Sequence, residues 1–171
     1  MKIGKLFLIG LVVVFFSCGD EDEPQPTAAG LVGTWSMTAL EYGGSSTTTV
    51  AGVSLMSAFT GVGKEIDLTI TFRENPNTIT SEGSYVIALT TTTAGQSFTQ
   101  DFPFNNFVAD GTWSLNGRVI TVTSALGAEE ATLVSQTSTT LVIGVETEQT
   151  QSAGGTTIRT RVQAQYTLTK I

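Results

Sequence analysis

The chain of 171 residues contains no histidine. That removes the commonest general base at neutral pH, the imidazole ligands of most zinc sites and the nucleophile triads that depend on imidazole. Its single cysteine, Cys18, has no second thiol to pair with, so the fold must be held by its core rather than by an internal disulfide. Charged residues are only 13% of the chain, and eight Lys and Arg stand against fifteen Asp and Glu, a net charge of −7. Such a surface repels phosphate backbones and anionic lipid alike, which excludes nucleic acid as a partner and argues against lying flat on a bilayer. Long apolar runs are missing too. The longest, Leu6 to Phe16, makes about 16 Å of helix, roughly half of a bilayer's ~30 Å hydrocarbon core, and so reads as the apolar centre of a signal peptide and not as a span.

The signals of catalysis are equally sparse. No serine sits in a nucleophile elbow, and no glycine loop enters a helix to cradle phosphate. Asp110-Gly111 is more simply a turn entering a strand. The carboxylate pairs Glu129-Glu130 and Glu146/Glu148 fall at polar strand ends among solvated neighbours and are not expected to be a tuned acid–base pair. The chain is read as non-catalytic, with neither a cofactor nor a metal expected.

What is present begins with Lys2 and Lys5 ahead of Leu6–Phe16, followed at once by Phe15-Phe16-Ser17-Cys18. A small residue before a cysteine at the end of an apolar run resembles a bacterial lipoprotein signal, with Phe15 standing where leucine is usual. The resemblance implies removal of residues 1–17 and acylation of Cys18. Two or three acyl chains make a lasting anchor where one binds only marginally. Gly19-Asp-Glu-Asp-Glu23 and the proline-bearing stretch to Gly30 then read as an extended tether, residues 18–30, with no core to join. Four carboxylates in a flexible run lack the fixed geometry of a calcium loop. Acidic residues directly after the lipidated cysteine resemble an export signal to the outer face of an outer membrane, so the expected location is the cell envelope, facing outward, with a periplasm-facing orientation as the alternative. The bilayer is the expected partner through Cys18; the domain is expected to be monomeric.

Residues 31–171 form the expected folded domain. Thirty threonines and eighteen glycines suit strands with a wet face. Trp35, Met37 and Ala39 alternate with Thr34, Ser36 and Thr38; Ile66 to Phe72 alternates throughout; Ile79, Tyr85, Ile87 and Leu89 share a face, as do Ile158, Val162, Ala164, Tyr166 and Leu168. Asn116-Gly117 reads as a two-residue hairpin loop, pairing Leu115 with Arg118 and Trp113 with Ile120 and placing Trp113, Leu115, Ile120 and Val122 on one face. Gly43 to Thr49 reads as a loop, and Thr90 to Gly95 breaks the strand pattern. Between Val50 and Val62, the spacing of Val53/Met56 and Leu55/Phe59 predicts one short helix after the first strand, capped by Thr49 and stopped by Gly61 and Gly63. About eight short sequential strands predict an all-β, up-and-down antiparallel barrel, with a two-sheet β-sandwich as the alternative.

At Gly33-Thr34-Trp35 the chain resembles the lipocalin-like (calycin) families, whose first strand carries Gly-x-Trp, and the second Gly-Thr-Trp at 111–113 resembles a pattern frequent in lipocalin-like bacterial lipoproteins. The resemblance implies that Trp35 packs at the closed end of the barrel beside Gly33, with a basic partner from the last strand. Lys170 is preferred by parity over Arg159 and Arg161. There is no clear counterpart of the middle lipocalin motif. Binding of a small hydrophobic ligand is expected, with Leu55, Met56 and Phe59 as a lid and Phe98, Phe102, Phe104 and Phe107 near the mouth, although each of these could instead simply pack the core. The alternative is a non-catalytic interaction module with a filled barrel.

Overall fold

The computed structural model describes residues 25–171. The signal segment, Cys18 and the acidic run to Glu23 lie outside the described residues. One short helix, α1 (Ala28–Leu31), is followed by nine strands: β1 (Gly33–Val50), β2 (Val53–Arg73), β3 (Thr78–Thr93), β4 (Gln96–Asn105), β5 (Gly111–Asn116), β6 (Val119–Ser124), β7 (Gly127–Gln136), β8 (Thr140–Ala153) and β9 (Thr156–Lys170). All pairings are antiparallel. The order β2-β1-β9-β8-β7-β6-β5-β3 closes on itself through β2–β3, so eight strands make a ring, and β4 hangs from the upper half of β3. Closure sets aside the two-sheet sandwich and leaves the lower barrel with no free edge.

The core follows from alternation. Trp35, Met37, Leu68, Ile70, Ile79, Trp113, Ile120, Leu133, Leu141, Ile143 and Leu168 all lie buried in one cluster. The core described here is drawn wholly from residues 31–168. Two strands depart from simple alternation. A register shift between Met37 and Ala39 turns Ala39 outward and brings Leu40 in, correcting the expectation that Ala39 faces the core. In the β5–β6 hairpin Leu115 pairs with Ile120 and Trp113 with Val122, so the loop is Gly117-Arg118 and not Asn116-Gly117. Gly117, at φ +59, takes the first loop position, as a type II′ turn requires. The slip is two residues, so the expected face survives.

The predicted helix over Val50–Val62 is overturned. Those residues are strand: Val50 pairs with Val53 across a two-residue turn, and the ladder runs on through Thr48–Leu55 and Gly44–Phe59 to Glu41–Val62. The short helix stands ahead of the first strand instead. Gly43–Thr49 and Thr90–Thr93, expected as loop and pattern break, are likewise strand. Three hairpins end alike, at Ala51-Gly52, Ala94-Gly95 and Gly154-Gly155, where both loop residues have positive φ between +48 and +83. That is the type I′ geometry matching the twist of paired strands.

These long hairpins flare above the ring as a six-stranded sheet, β4-β3-β2-β1-β9-β8, while β5, β6 and β7 stop short. It is joined across strands by hydroxyl pairs such as Ser57–Thr93 at 2.6 Å, Thr90–Thr99 at 2.8 Å, Thr92–Ser97 at 2.8 Å and Ser46–Thr160 at 3.2 Å. Threonine thus serves the ladder with both its β-branch and its hydroxyl.

The opposite end is plugged. Thr27 caps α1 by accepting from Gly30 N at 3.2 Å, and Gln136 ties the entering chain down at Thr27 N and O. Leu31 is fully buried beneath the ring. Trp35 is fully buried as well, and its Nε1 donates to Leu31 O at 2.8 Å. Lys170, its cross-strand partner, sits 5.1 Å from the indole centroid and donates through Nζ to Val32 O at 3.1 Å. At Gly33, with φ +137, a Cβ would meet Lys170 Cε at 2.8 Å. Trp35→Ala is expected to lower unfolding stability by about 3–5 kcal/mol, read from urea midpoints. The matched control Leu126→Ser, at a side chain 86% exposed, should stay within about 0.5 kcal/mol.

Candidate functional site

Where β5, β6 and β7 stop and β8 and β9 continue, the barrel opens into a cavity of about 420 Å3. Its walls are Phe107, Val108, Val122, Ala131, Val145 and Tyr166, with Glu129 and Glu130 also bordering it. Phe107 is set by Ser81, a polar side chain only 4% exposed. Ser81 Oγ accepts from Phe107 N at 2.8 Å, Ser81 N donates to Asp110 Oδ1 at 3.4 Å, and Asn106 N donates to Gly83 O at 2.9 Å. The fixed segment carries the Phe107 ring edge-on to Tyr166, centroids 4.4 Å apart.

Cross-strand pairing extends this interior upward, because partners on adjacent strands share a face. A Cβ at Gly61 would meet Ile87, Leu89 and Tyr42, which places those side chains on the inner face. Tyr42 stacks on Phe59 at 5.7 Å and Tyr85 on Phe104 at 5.4 Å. From those anchors the register puts Phe98, Phe102 and Phe104 of β4 opposite Thr91, Ile87 and Tyr85 of β3, and Leu55 of β2 opposite Thr48 of β1. By the same register no charged residue lies on the inner face of the flared sheet. The charges stand outside: Lys64 meets Asp101 at 3.2 Å, and Glu148 is held between Arg159 and Arg161. Those guanidinium groups keep the Glu148 carboxyl below its ordinary range.

Of the residues singled out for a ligand, Leu55, Phe59, Phe98, Phe102 and Phe104 therefore share one inner face, on strands and not on a helical lid. Phe98 is 68% exposed, while Phe102 and Phe104 are at 37% and 41%. Met56 points to the outer face and is apart from the rest. Phe107 belongs to the cavity wall. Gly33, Trp35 and Lys170 lie together at the plugged end, away from this mouth. Sequence reasoning missed the tyrosines as a group. All three in the chain, Tyr42, Tyr85 and Tyr166, fall on the inner face. The signal available was their common inward parity. A second hollow on the outer face, beside Gly43 and Gly144, is rimmed by Glu41, Glu146, Gln163 and Gln165.

Residues 31–143 match the model of the lipocalin-like domain family. The chain belongs to that family. The matched stretch runs from the buried Leu31 as far as Ile143, near the start of β8, and it includes Gly33-Thr34-Trp35. No curated protein and no solved structure matches the chain.

Burial pushes the phenols of Tyr42 and Tyr85 above their ordinary value, and Tyr166 further still, where burial is joined by the neighbouring Tyr85, Tyr42 and Glu129. A folded-state acidity weaker than the unfolded one contributes stability that is complete below the unfolded phenol value of about 10 and is lost as pH rises above it. In a spectrophotometric titration the three tyrosines should ionise above that value, Tyr166 last, with its ionisation coinciding with loss of near-ultraviolet circular dichroism. Ser81→Ala strands the Phe107 N–H and should cost about 1–3 kcal/mol by urea denaturation.

Proposed function

We propose that this lipocalin-like domain binds a small hydrophobic molecule at its open end. The observation that carries the reading is the cavity of about 420 Å3 between apolar walls, at the end of the barrel opposite the plug. Its size falls within the roughly 300–1,000 Å3 of small-molecule sites. In the ring below, Trp35, Leu68, Ile70, Leu133 and Leu168 are buried with almost no exposure. Lipocalin-like domains are in general binding proteins and not catalysts, in keeping with a chain that lacks histidine.

Anchoring belongs to the same proposal. Acylation of Cys18 would fasten the domain to an outer membrane through the acidic stretch, with the domain facing outward. The described chain enters beside α1, at the plugged end, so a tether there leaves the mouth unobstructed. Cys18→Ser should move the protein from the membrane to the soluble fraction and remove the acyl mass shift.

The binding test uses residues 19–171, which keep the whole core. A native mass spectrum compared with the denatured mass should show an adduct that is lost on unfolding, or one acquired from a panel of fatty acids, monoacylglycerols and sterols. A bare mass throughout would sink the reading. Val145→Trp, which fills the cavity from β8, should abolish the adduct while leaving the circular dichroism of the fold in place.

A further inference from the structure

We infer that the mouth selects an uncharged amphiphile held by its oxygen-bearing end, with phenol hydroxyls of Tyr85 and Tyr166 donating to that oxygen and the apolar tail lying along Phe104, Phe102 and Phe98. This rests on the apolar-site reading above and names the ligand class for the same site.

Three observations carry it. First, Tyr85 is only 6% exposed, yet among the described residues its hydroxyl, like those of Tyr42 and Tyr166, has no hydrogen-bond partner. A buried phenol ordinarily finds one. The hydroxyls retain a path to solvent, since no fully enclosed side-chain polar atom among the described residues lacks a partner; Tyr166 lines the cavity, and Tyr85 stands on the inner face against Phe104. Second, a neutral phenol hydroxyl can donate, so a ligand oxygen placed beside it is met as an acceptor. Third, charge decides between acceptors. At the mouth no Lys or Arg reaches the inner face by register, Lys170 lying at the plugged end, while Glu129 and Glu130 border the cavity. A carboxylate would be desolvated there without a cation and beside two like charges. An ester, hydroxyl or amide oxygen meets no such penalty. The tail's path runs along one face of β4: Tyr85 stacks on Phe104, Phe102 follows, and beyond Gln100 comes Phe98 toward the hairpin tip, the most exposed of the three.

The experiment uses residues 19–171 and displacement of the uncharged dye N-phenyl-1-naphthylamine by monooleoylglycerol or by oleate, at about pH 8, where the free acid is ionised. Monooleoylglycerol should bind at least roughly tenfold more tightly than oleate, an ion having to be buried unpaired. Tyr85→Phe and Tyr166→Phe keep the rings and their stacking. Each should weaken monooleoylglycerol by roughly three- to tenfold relative to the dye, the loss of one neutral hydrogen bond. If the dye binds but oleate competes as well as monooleoylglycerol, or if both Tyr→Phe variants bind monooleoylglycerol like the parent, the polar-end assignment is overturned and the apolar cavity stands. If neither the dye nor monooleoylglycerol binds, the apolar-site reading falls, and this inference with it.

Discussion

The indole of Trp35 joins three segments of the chain that must meet for the ring to exist. Its Nε1 holds the carbonyl of Leu31 at the end of α1, its backbone belongs to β1, and its face is covered by Lys170 from the end of β9. Because β1 and β9 are the first and last of the described strands, their pairing is the strand contact of greatest sequence separation among them and the one with the largest closure cost. A buried aromatic, a buried hydrogen bond and a cation over the ring are concentrated there. The arrangement also explains Gly33: the lysine's methylenes occupy the space a side chain would need. With that end fixed, the remaining strands need only add neighbours in order.

The molecule then divides into two tiers built on different physics. The lower tier is a closed ring around large aliphatic and aromatic side chains with almost no exposure. The upper tier is a curved sheet, two edges free, with glycine, serine and threonine on much of its surface and aromatic side chains on its inner face alone. The family match takes in parts of both tiers and stops inside β8, short of β9, whose Leu168 completes the buried core. The long β8–β9 hairpin, which completes the flare and one wall of the mouth, lies largely beyond it. The site sits at the junction, where the packing of the lower tier runs out before the sheet of the upper one does.

Much of this is legible in the residues. Strict alternation from Ile66 to Phe72 and along β9 identifies faces because period two admits no other arrangement. The Gly-x-Trp motif and the parity of Lys170 locate the clamp. Legibility fails where two periods agree. Leu55 and Phe59, four apart, share a face in a helix and equally in a strand; only Met56, three from Val53, separates the two, and a helical reading puts it on the wrong side. The turn that would settle the matter is Ala51-Gly52, whose alanine at φ +48 carries none of the usual Asn-Gly signal. Threonine-rich runs at 43–49 and 90–93 resemble loops when polarity is weighed above β-branching. The bulge that exchanges Ala39 for Leu40 follows no local signal at all. The mouth is hidden for a different reason: three tyrosines from three distant strands converge only through ring closure, which no single segment encodes.

The hydroxyl pairs that bind the flared strands behave as a zipper with neutral teeth. Thr90–Thr99, Thr92–Ser97, Ser57–Thr93 and Ser152–Thr157 carry no charge that salt could screen and no proton that acid could add. Each tooth is weak and close to water, so the hairpin tips can open pair by pair while the ring below stays shut. Opening of these pairs answers to temperature and is largely deaf to ionic conditions, the outer contacts of Glu148 and Asp101 aside. The tryptophan clamp stands at the other end and shares none of these teeth.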